Sequence, residues 1–415
     1  MTALILHRGS FRANPYERWL DGYGSDVVVL ASHEQLVVHG EELPTAAPYV
    51  HAESLPDYDT SSRVAERAAE LIQEFGVSDL VACQENDLER AAHLRARFGL
   101  PGQRPESVVA YRDKWEMKRA AVRAGIPVAR HALVSAPQDL TDFIAAHGLP
   151  VVVKPRRGAG SIDLAVLRTA AAVDAWLAGP WLDGGDEGGG AGWLVEAFVE
   201  GAMCHIDGVV LDGRIVSMWP SQYTYVLADY RDRSGRMDIA LDADDPLRHR
   251  LTAFGERLLE AFGHDGNFAF HIEVFRTPDD ELVLCEAACR AGGAGVRDVY
   301  RAMFGYDPAE LPVRSQLGLP LTHGNVEERR APARIGGQLL FMRRPGTVHR
   351  LPDPAGMPEG VVQHKYFAAP GDRMAEAWHS GDFLAAFVVV GADRAQCEER
   401  IRALEKWFLA GLDVR

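Results

Sequence analysis

Glu273 and Glu286 are the residues from which chemistry is most readily read. The segment Phe268–Arg276 alternates like a strand, turns at Thr277-Pro-Asp-Asp280, and returns through Leu282-Val-Leu-Cys-Glu286. Folding this hairpin about Asp279-Asp280 makes the two glutamates direct cross-strand neighbours. Carboxylates opposed at about 5 Å between Cβ atoms cost a sheet free energy unless a positive charge sits between them. Acidic oxygens without an imidazole or thiolate pair point to Mg²⁺, a hard ion that prefers oxygen ligands and leaves room for phosphate. Glu273 and Glu286 are therefore the candidate metal ligands.

Basic residues precede and follow this pair. Lys154 ends the strand Pro150-Val-Val-Val-Lys-Pro155, which opens into Arg156-Arg-Gly-Ala-Gly-Ser161. Glycines let backbone N–H groups and a hydroxyl wrap phosphate oxygens while the lysine supplies a point charge. The lysine precedes its glycines, so this is not a Walker A loop. Lys114 and Lys118 lie four residues apart on a charged helix that runs from Tyr111 and stops near Gly125-Ile-Pro127. Arg290, within Ala287-Ala-Cys-Arg-Ala-Gly-Gly-Ala-Gly295, is placed next to the acidic pair, where a guanidinium would neutralise phosphate or carboxylate.

These residues need a scaffold, and the pattern predicts a mixed one of α/β and α+β class. Strand signals at Ala3–His7, Asp26–Ser32 and Asp79–Cys83 alternate with helical runs over Ser61–Phe75 and Leu88–Phe98. Such a βα rhythm predicts a parallel sheet wrapped by helices, Rossmann-like in kind, although no GxGxxG follows the first strand. Gly179–Gly192 reads as a flexible acidic insertion before the strand Trp193–Gly201, and His205–Gly213 reads as a hairpin. Beyond Arg330, strands at Gly336–Met342, Gly360–Tyr366 and Phe383–Val390 and a helix over Arg394–Leu409 predict an α+β module that covers the central sheet and shapes one wall of a substrate pocket.

Composition excludes several classes. The 415 residues are 47% hydrophobic and 25% charged, a balance that supports two to four folded domains rather than a disordered or fibrous chain. The net charge of -15 argues against broad nucleic-acid binding and against anionic membrane surfaces. Five cysteines without a CxxC do not make a disulfide or zinc framework. Met1–Arg8 passes directly into an apolar strand signal, with no signal peptide and no apolar run long enough for a membrane span, so a cytoplasmic location is expected.

The order of these features, Lys114, Lys154 with its glycine loop, Val195-Glu-Ala-Phe-Val-Glu200, then Glu273 and Glu286 with Arg290, resembles the ATP-grasp superfamily over residues 105–300 or so. His271-Ile-Glu273 and Glu286-Ala-Ala-Cys-Arg290-Ala-Gly-Gly293 are most similar to the carboxylate–amine ligases, the L-amino acid ligase-like branch. The resemblance implies an ATP-grasp fold with a pre-ATP-grasp βα domain over 1–105, a core over 106–330 containing a lid at about 128–198, and a C-terminal α+β module over 331–415. It implies that Lys114 and Lys154 contact ATP phosphates and that the Gly158, Gly160 and Ser161 loop closes over them. Glu196 and the backbone of Phe198 and Val199 would hold adenine, and either Glu200 substitutes as the ribose contact or that contact is missing. Glu273 and Glu286 would carry one or two Mg²⁺ ions, with Mn²⁺ as an alternative, and Arg290 would steady the transferred phosphoryl group.

The implied activity joins a small carboxylic acid, of amino-acid type, to an amine through an acyl phosphate, with Lys154, Arg290 and His271 in the catalytic machinery. Alternatives are an ATP-grasp enzyme with a bicarbonate or formate type of acceptor, and a nucleotide-binding regulator without catalysis. Two departures stand out. Ala288 occupies the place of an asparagine metal contact found in many members, and Ala202-Met203 follows Gly201 where relatives place a ribose-binding glutamate. Trp219-Pro-Ser-Gln-Tyr223, Arg297 and Tyr300 are candidates for the acid and amine pocket and equally for packing, and homodimers are common among relatives.

Overall fold

The computed structural model describes residues 1–179, 192–224, 235–321 and 331–415. The insertion expected over Gly179–Gly192 lies almost wholly outside the described residues, as does the 322–330 junction ahead of the C-terminal strands.

Near-continuous apolar runs build the first layer. Strands β1 (Thr2–His7), β2 (Asp26–Ser32), β3 (Tyr49–Leu55) and β4 (Val77–Ala82) form a parallel sheet in the order β3-β2-β1-β4. All six residues of β1 are buried, as a central parallel strand covered on both faces requires. Helices α1 (Tyr16–Trp19), α2 (His33–His39), α3 (Arg63–Glu74) and α4 (Leu88–Phe98) accompany this sheet, and α3 and α4 bury Val64, Leu71 and Leu94 against Leu4 and Val28.

The helix expected from Tyr111 to Gly125 is two helices. α5 (Pro105–Arg112) ends at Asp113, and α6 (Lys114–Arg123) begins immediately after it. The Asp113 carboxylate accepts from the Trp115 and Glu116 N–H groups at 3.0 and 3.4 Å and pairs with Arg156 at 2.7 Å. An aspartate N-cap satisfies helix donors that would otherwise be orphaned and turns the chain between the two axes. Lys114 thereby becomes the first residue of α6, and its backbone N–H bonds the Arg156 carbonyl at the start of the glycine loop.

A small antiparallel sheet follows, with β5 (His131–Val134), β6 (Val151–Pro155), β7 (Ala165–Leu167) and β8 (Trp193–Ala197) in the order β5-β8-β6-β7. Helices α7 (Pro137–His147) and α8 (Ala170–Leu177) cover one face around Val134, Leu140, Phe143, Val153 and Val195.

The principal sheet has eight strands. β9 (Ala202–Leu211) turns at Asp212-Gly213 into β10 (Arg214–Tyr223), and β11 (Arg236–Ala240), β12 (Phe268–Arg276), β13 (Leu282–Ala288) and β14 (Ile335–Met342) come next along the chain. With two later strands, β16 (Val361–Tyr366) and β18 (Phe383–Gly391), the order is β13-β12-β9-β10-β11-β14-β18-β16. On β12 the even residues Phe268, Phe270, Ile272 and Val274 pack with α5, α6 and α9 (Pro246–Phe262), which leaves the odd residues His271, Glu273 and Phe275 on the opposite face. α10 (Val296–Phe304) and α11 (Glu310–Gln316) complete this part of the chain.

The C-terminal strands are not a separate cover. β16 (Val361–Tyr366) and β18 (Phe383–Gly391) extend the principal sheet, and β14 lies inside it, hydrogen-bonded to β11 on one edge and β18 on the other with all eight residues buried. A strand closed on both faces and both edges belongs to the sheet interior. The short β15 (Gly346–Arg350), β17 (Arg373–Met374) and β19 (Asp413–Val414) make a three-stranded sheet, and α12 (Arg394–Gly411) packs Ile401, Leu404 and Phe408 under Leu339 and Phe341. No helix among the described residues is long and apolar enough to cross a membrane.

Replacing Asp113 with alanine removes the α6 cap and strips Arg156 of its carboxylate, so Asp113→Ala is expected to lose about 1–3 kcal/mol, read as a lower urea midpoint at unchanged slope.

Candidate active site

The hairpin places Glu273 directly opposite Glu286, with a register shift just after Glu273. Both face a cavity of about 370 Å³ enclosed by the small sheet, the odd face of β12 and the end of α6. Lys114, Lys154, Gly158, Gly160, Ser161, Glu196, Phe198, Val199, His271 and Arg290 line the same cavity. Of the residues singled out from the sequence for catalysis, nucleotide or metal, only Glu200 lies outside: it is exposed and does not reach the wall.

Charge balance is built into the walls. Lys154 Nζ lies 3.0 Å and Lys118 Nζ 3.4 Å from the same Glu196 oxygen, with all three side chains buried. Lys118 also donates to the Leu284 and Cys285 carbonyls at 2.9 Å each. Burial would raise the Glu196 carboxyl, but the two ammonium groups more than reverse this and hold it at about 2. Burial likewise depresses Lys154, yet Glu196, Cys285 and Glu286 outweigh it and the net shift is upward. For Lys118 burial prevails and the shift is downward. The carboxylate assigned by resemblance to adenine is thus the shared counter-ion of two lysines. The Phe198 N–H is also engaged, donating to the Pro150 carbonyl at 3.2 Å.

Lys114 Nζ donates to the Gly158 carbonyl at 2.6 Å and lies 3.2 Å from Glu286 Oε1, so one ammonium bridges the glycine loop and the acidic pair. Arg290 is oriented from behind by Glu85, whose two oxygens accept from Arg290 Nε and Arg112 Nη1, each at 2.5 Å. Burial alone would raise the Glu85 carboxyl, but Arg290 and Arg112 bring it to about 2. Glu85 was not anticipated. The available signal was its position just past the C-terminal end of β4, where ligands approach parallel sheets.

His271 lies across from Asp207, with Nδ1 2.9 Å from an Asp207 oxygen and Nε2 3.4 Å from Glu273 Oε1. Burial opposes protonation of this imidazole, and Asp207 and Glu273 overcome it, raising it to about 9. Burial raises and His271 lowers the Glu273 carboxyl, and the net shift is downward. His205 and Asp207, also missed, stand as polar alternates within the apolar β9; His205 is raised to about 10, since Asp207 and Asp238 outweigh its burial.

The substrate candidates divide. Tyr223 lines the cavity. Trp219 is core, with its indole N–H on the Leu241 carbonyl, and Tyr300 packs on Phe304 with its hydroxyl against Ser217. Arg297 is held by Asp307 at 2.6 Å and by Asn14, away from the cavity wall. Aromatic or basic side chains in strands and helices satisfy core and structural contacts as readily as they bind ligands. The C-terminal segment contributes residues that no sequence signal marked: Gln338, Leu340, His379, Ser380 and Gly381 line the cavity, and the Ser380 N–H donates to the Gly160 carbonyl at 3.2 Å.

The donor set fits Mg²⁺: two carboxylates opposed across a ladder, a cationic rim and a small Ala288 beside them. Cys285, the thiol on the cavity wall, is pushed by burial to about 12 and offers no thiolate.

No family model matches the chain. It is 26% identical over 234 residues to the L-arginine-specific L-amino acid ligase of Bacillus subtilis, an alignment covering 54% of this chain and 54% of that protein. With the alanine–anticapsin ligase of Bacillus subtilis it shares 22% identity over 406 residues, 87% of this chain and 84% of the relative. The crystal structure of an L-amino acid ligase from Bacillus licheniformis superposes with a TM-score of 0.76 at 16% identity, covering 100% of this chain and 99% of that one. The chain has the fold of the ATP-grasp enzymes. The small sheet and the principal sheet both supply residues to the cavity wall, and two of the similar proteins carry names of ligases that act on amino acids.

A carboxyl depressed in the folded state contributes stability that is present above its ordinary value of 4.5 and lost as pH falls toward 2, for Glu196 and for Glu85 alike. Glu196→Gln leaves two buried ammonium groups without a counter-charge, so it is expected to cost about 3–5 kcal/mol at neutral pH. It should also flatten the acid limb of stability in that window, measured by urea unfolding at a series of pH values.

Proposed function

We propose that this protein is an ATP-dependent ligase that joins a small carboxylic acid to an amine through an acyl phosphate, releasing ADP and phosphate. The observation that carries this reading is the convergence in one cavity of opposed glutamates, Lys114, Lys154, a glycine loop and a pre-oriented Arg290. Such a site handles phosphate charge and needs no nucleophile of its own, in keeping with a protonated Cys285. Likeness to ligases named for amino acids supports amino-acid substrates for this chain.

The reaction runs in two displacements. An oxygen of the substrate carboxylate attacks the γ-phosphorus of ATP, and the bond to the β–γ bridging oxygen breaks with its electron pair leaving on ADP. Lys114 and Lys154 hold the phosphate oxygens, and Arg290, fixed by Glu85 and the Ala291 carbonyl, faces the transferred group. Glu273 and Glu286 would hold Mg²⁺, which when bound neutralises phosphate charge. The amine nitrogen then attacks the acyl carbon, phosphate departs with the C–O electron pair, and the nitrogen loses a proton. Water at this stage would hydrolyse the acyl phosphate. The glycine loop, bonded to Ser380, closes one route by which it could enter.

Purified protein supplied with ATP, Mg²⁺ and pools of amino acids should release ADP and phosphate and yield a condensed product detected by mass. Phosphate release with bicarbonate or formate and none with amino acids would overturn the amino-acid reading. Glu286→Gln neutralises one cavity carboxylate at constant volume. ADP formation should fall more than about 100-fold while the melting temperature holds; undiminished turnover would remove the metal role of Glu286.

A further inference from the structure

Behind Glu273 the sheet carries an unusual set of buried polar groups. His271 Nδ1 and His205 Nδ1 meet opposite oxygens of Asp207 at 2.9 and 2.5 Å. His205 Nε2 lies 3.6 Å from Asp238 Oδ1, and the Gln338 amide donates to the other Asp238 oxygen. At the cavity end, His271 Nε2 stands 3.4 Å from Glu273 Oε1. Strand register explains the alignment: Asp207 faces His271 across β9 and β12, and Asp238 faces Gln338 across β11 and β14. Asp207, His205, Asp238 and Gln338 are all buried.

Ionisable groups at this depth are costly unless each finds a partner, and apolar residues would fill the same space more cheaply. The three donors His205, Asp207 and His271 cluster closely enough to suggest a metal centre. Their contacts are direct hydrogen bonds, however, and an ion shared among them would have to push each nitrogen off the carboxylate to reach bonds of about 2.1 Å. What the arrangement does is orient. Because Asp207 takes Nδ1 of both rings, Nε2 of His271 is left aimed at Glu273 and Nε2 of His205 at Asp238.

We propose that Asp207, backed by His205 and Asp238, is a positioning residue for Glu273: it locks the His271 ring so that one Glu273 oxygen is held and the other is presented to the divalent cation. The proposal rests on the reading of Glu273 as a metal ligand. Groups that orient a ligand from behind commonly change metal affinity 10–100-fold when removed.

Mn²⁺ serves as the probe, its binding to the full-length protein with ADP followed by the free-ion EPR signal. Asp207→Asn should raise the Mn²⁺ dissociation constant about 10-fold or more and His205→Gln by a smaller factor, while ADP affinity in EDTA stays at the wild-type value. A general loosening of the fold would weaken both ligands together, and that outcome would overturn the proposal. Unchanged Mn²⁺ affinity in Asp207→Asn and His205→Gln, alongside weakened affinity in Glu273→Gln, would overturn it while sparing the metal role of Glu273. Unchanged affinity in Glu273→Gln would remove the reading beneath it. Should Asp207→Asn not fold, His205→Gln decides the matter by the same criteria.

Discussion

One carboxylate shared by two ammonium groups holds the parts of this molecule in register. Glu196 sits on β8 and Lys154 on β6, both in the small sheet, while Lys118 comes from α6, which packs on the principal sheet. Lys118 is further tied to two carbonyls of β13, the strand that carries Glu286. A single buried charge cluster therefore fixes the distance from the glycine loop to the acidic pair. Because removal of any member strands the others in a low-dielectric interior, the arrangement is all-or-none.

A second tie reaches the site from the N-terminal layer. Glu85 follows β4, and its two oxygens clamp Arg290 after β13 and Arg112 at the end of α5. The guanidinium at the cavity therefore arrives pre-oriented by an N-terminal layer that, among the described residues, contributes no side chain of its own to the cavity wall. Orientation settled before a ligand arrives lowers the entropy lost on binding.

What was legible in the sequence was whatever repeats locally. Alternation in Phe268–Arg276 and its return through Glu286 yields the correct facing of the two glutamates, since a period of two leaves little freedom of register. The β1, β2 and β4 runs and α4 are equally direct. The split at Asp113 was readable as well, for Asp113-Lys-Trp-Glu116 has the spacing of a helix start, but the surrounding charges suggest one continuous helix. Glu85 and the pairing of Asp207 with His271 were hidden because the partners lie far along the chain, 205 positions apart for Glu85 and Arg290 and 64 for Asp207 and His271. Trp219, Tyr300 and Arg297 misled in the opposite direction, since residue type alone does not separate a core hydroxyl or a structural ion pair from a ligand contact.

The interior position of β14 carries a consequence for how the chain is made. Its partner β11 is synthesised some hundred residues earlier, and β18 completes the far edge only near the C-terminus. An emerging polypeptide thus holds β11 with an unsatisfied edge until β14 follows, and β14 with one until β18 follows, and unpaired edges are templates for association with other chains. Completion of the cavity wall in this way waits on strands made well after the glutamate hairpin, and a product cut short before β14 would be sticky as well as incomplete.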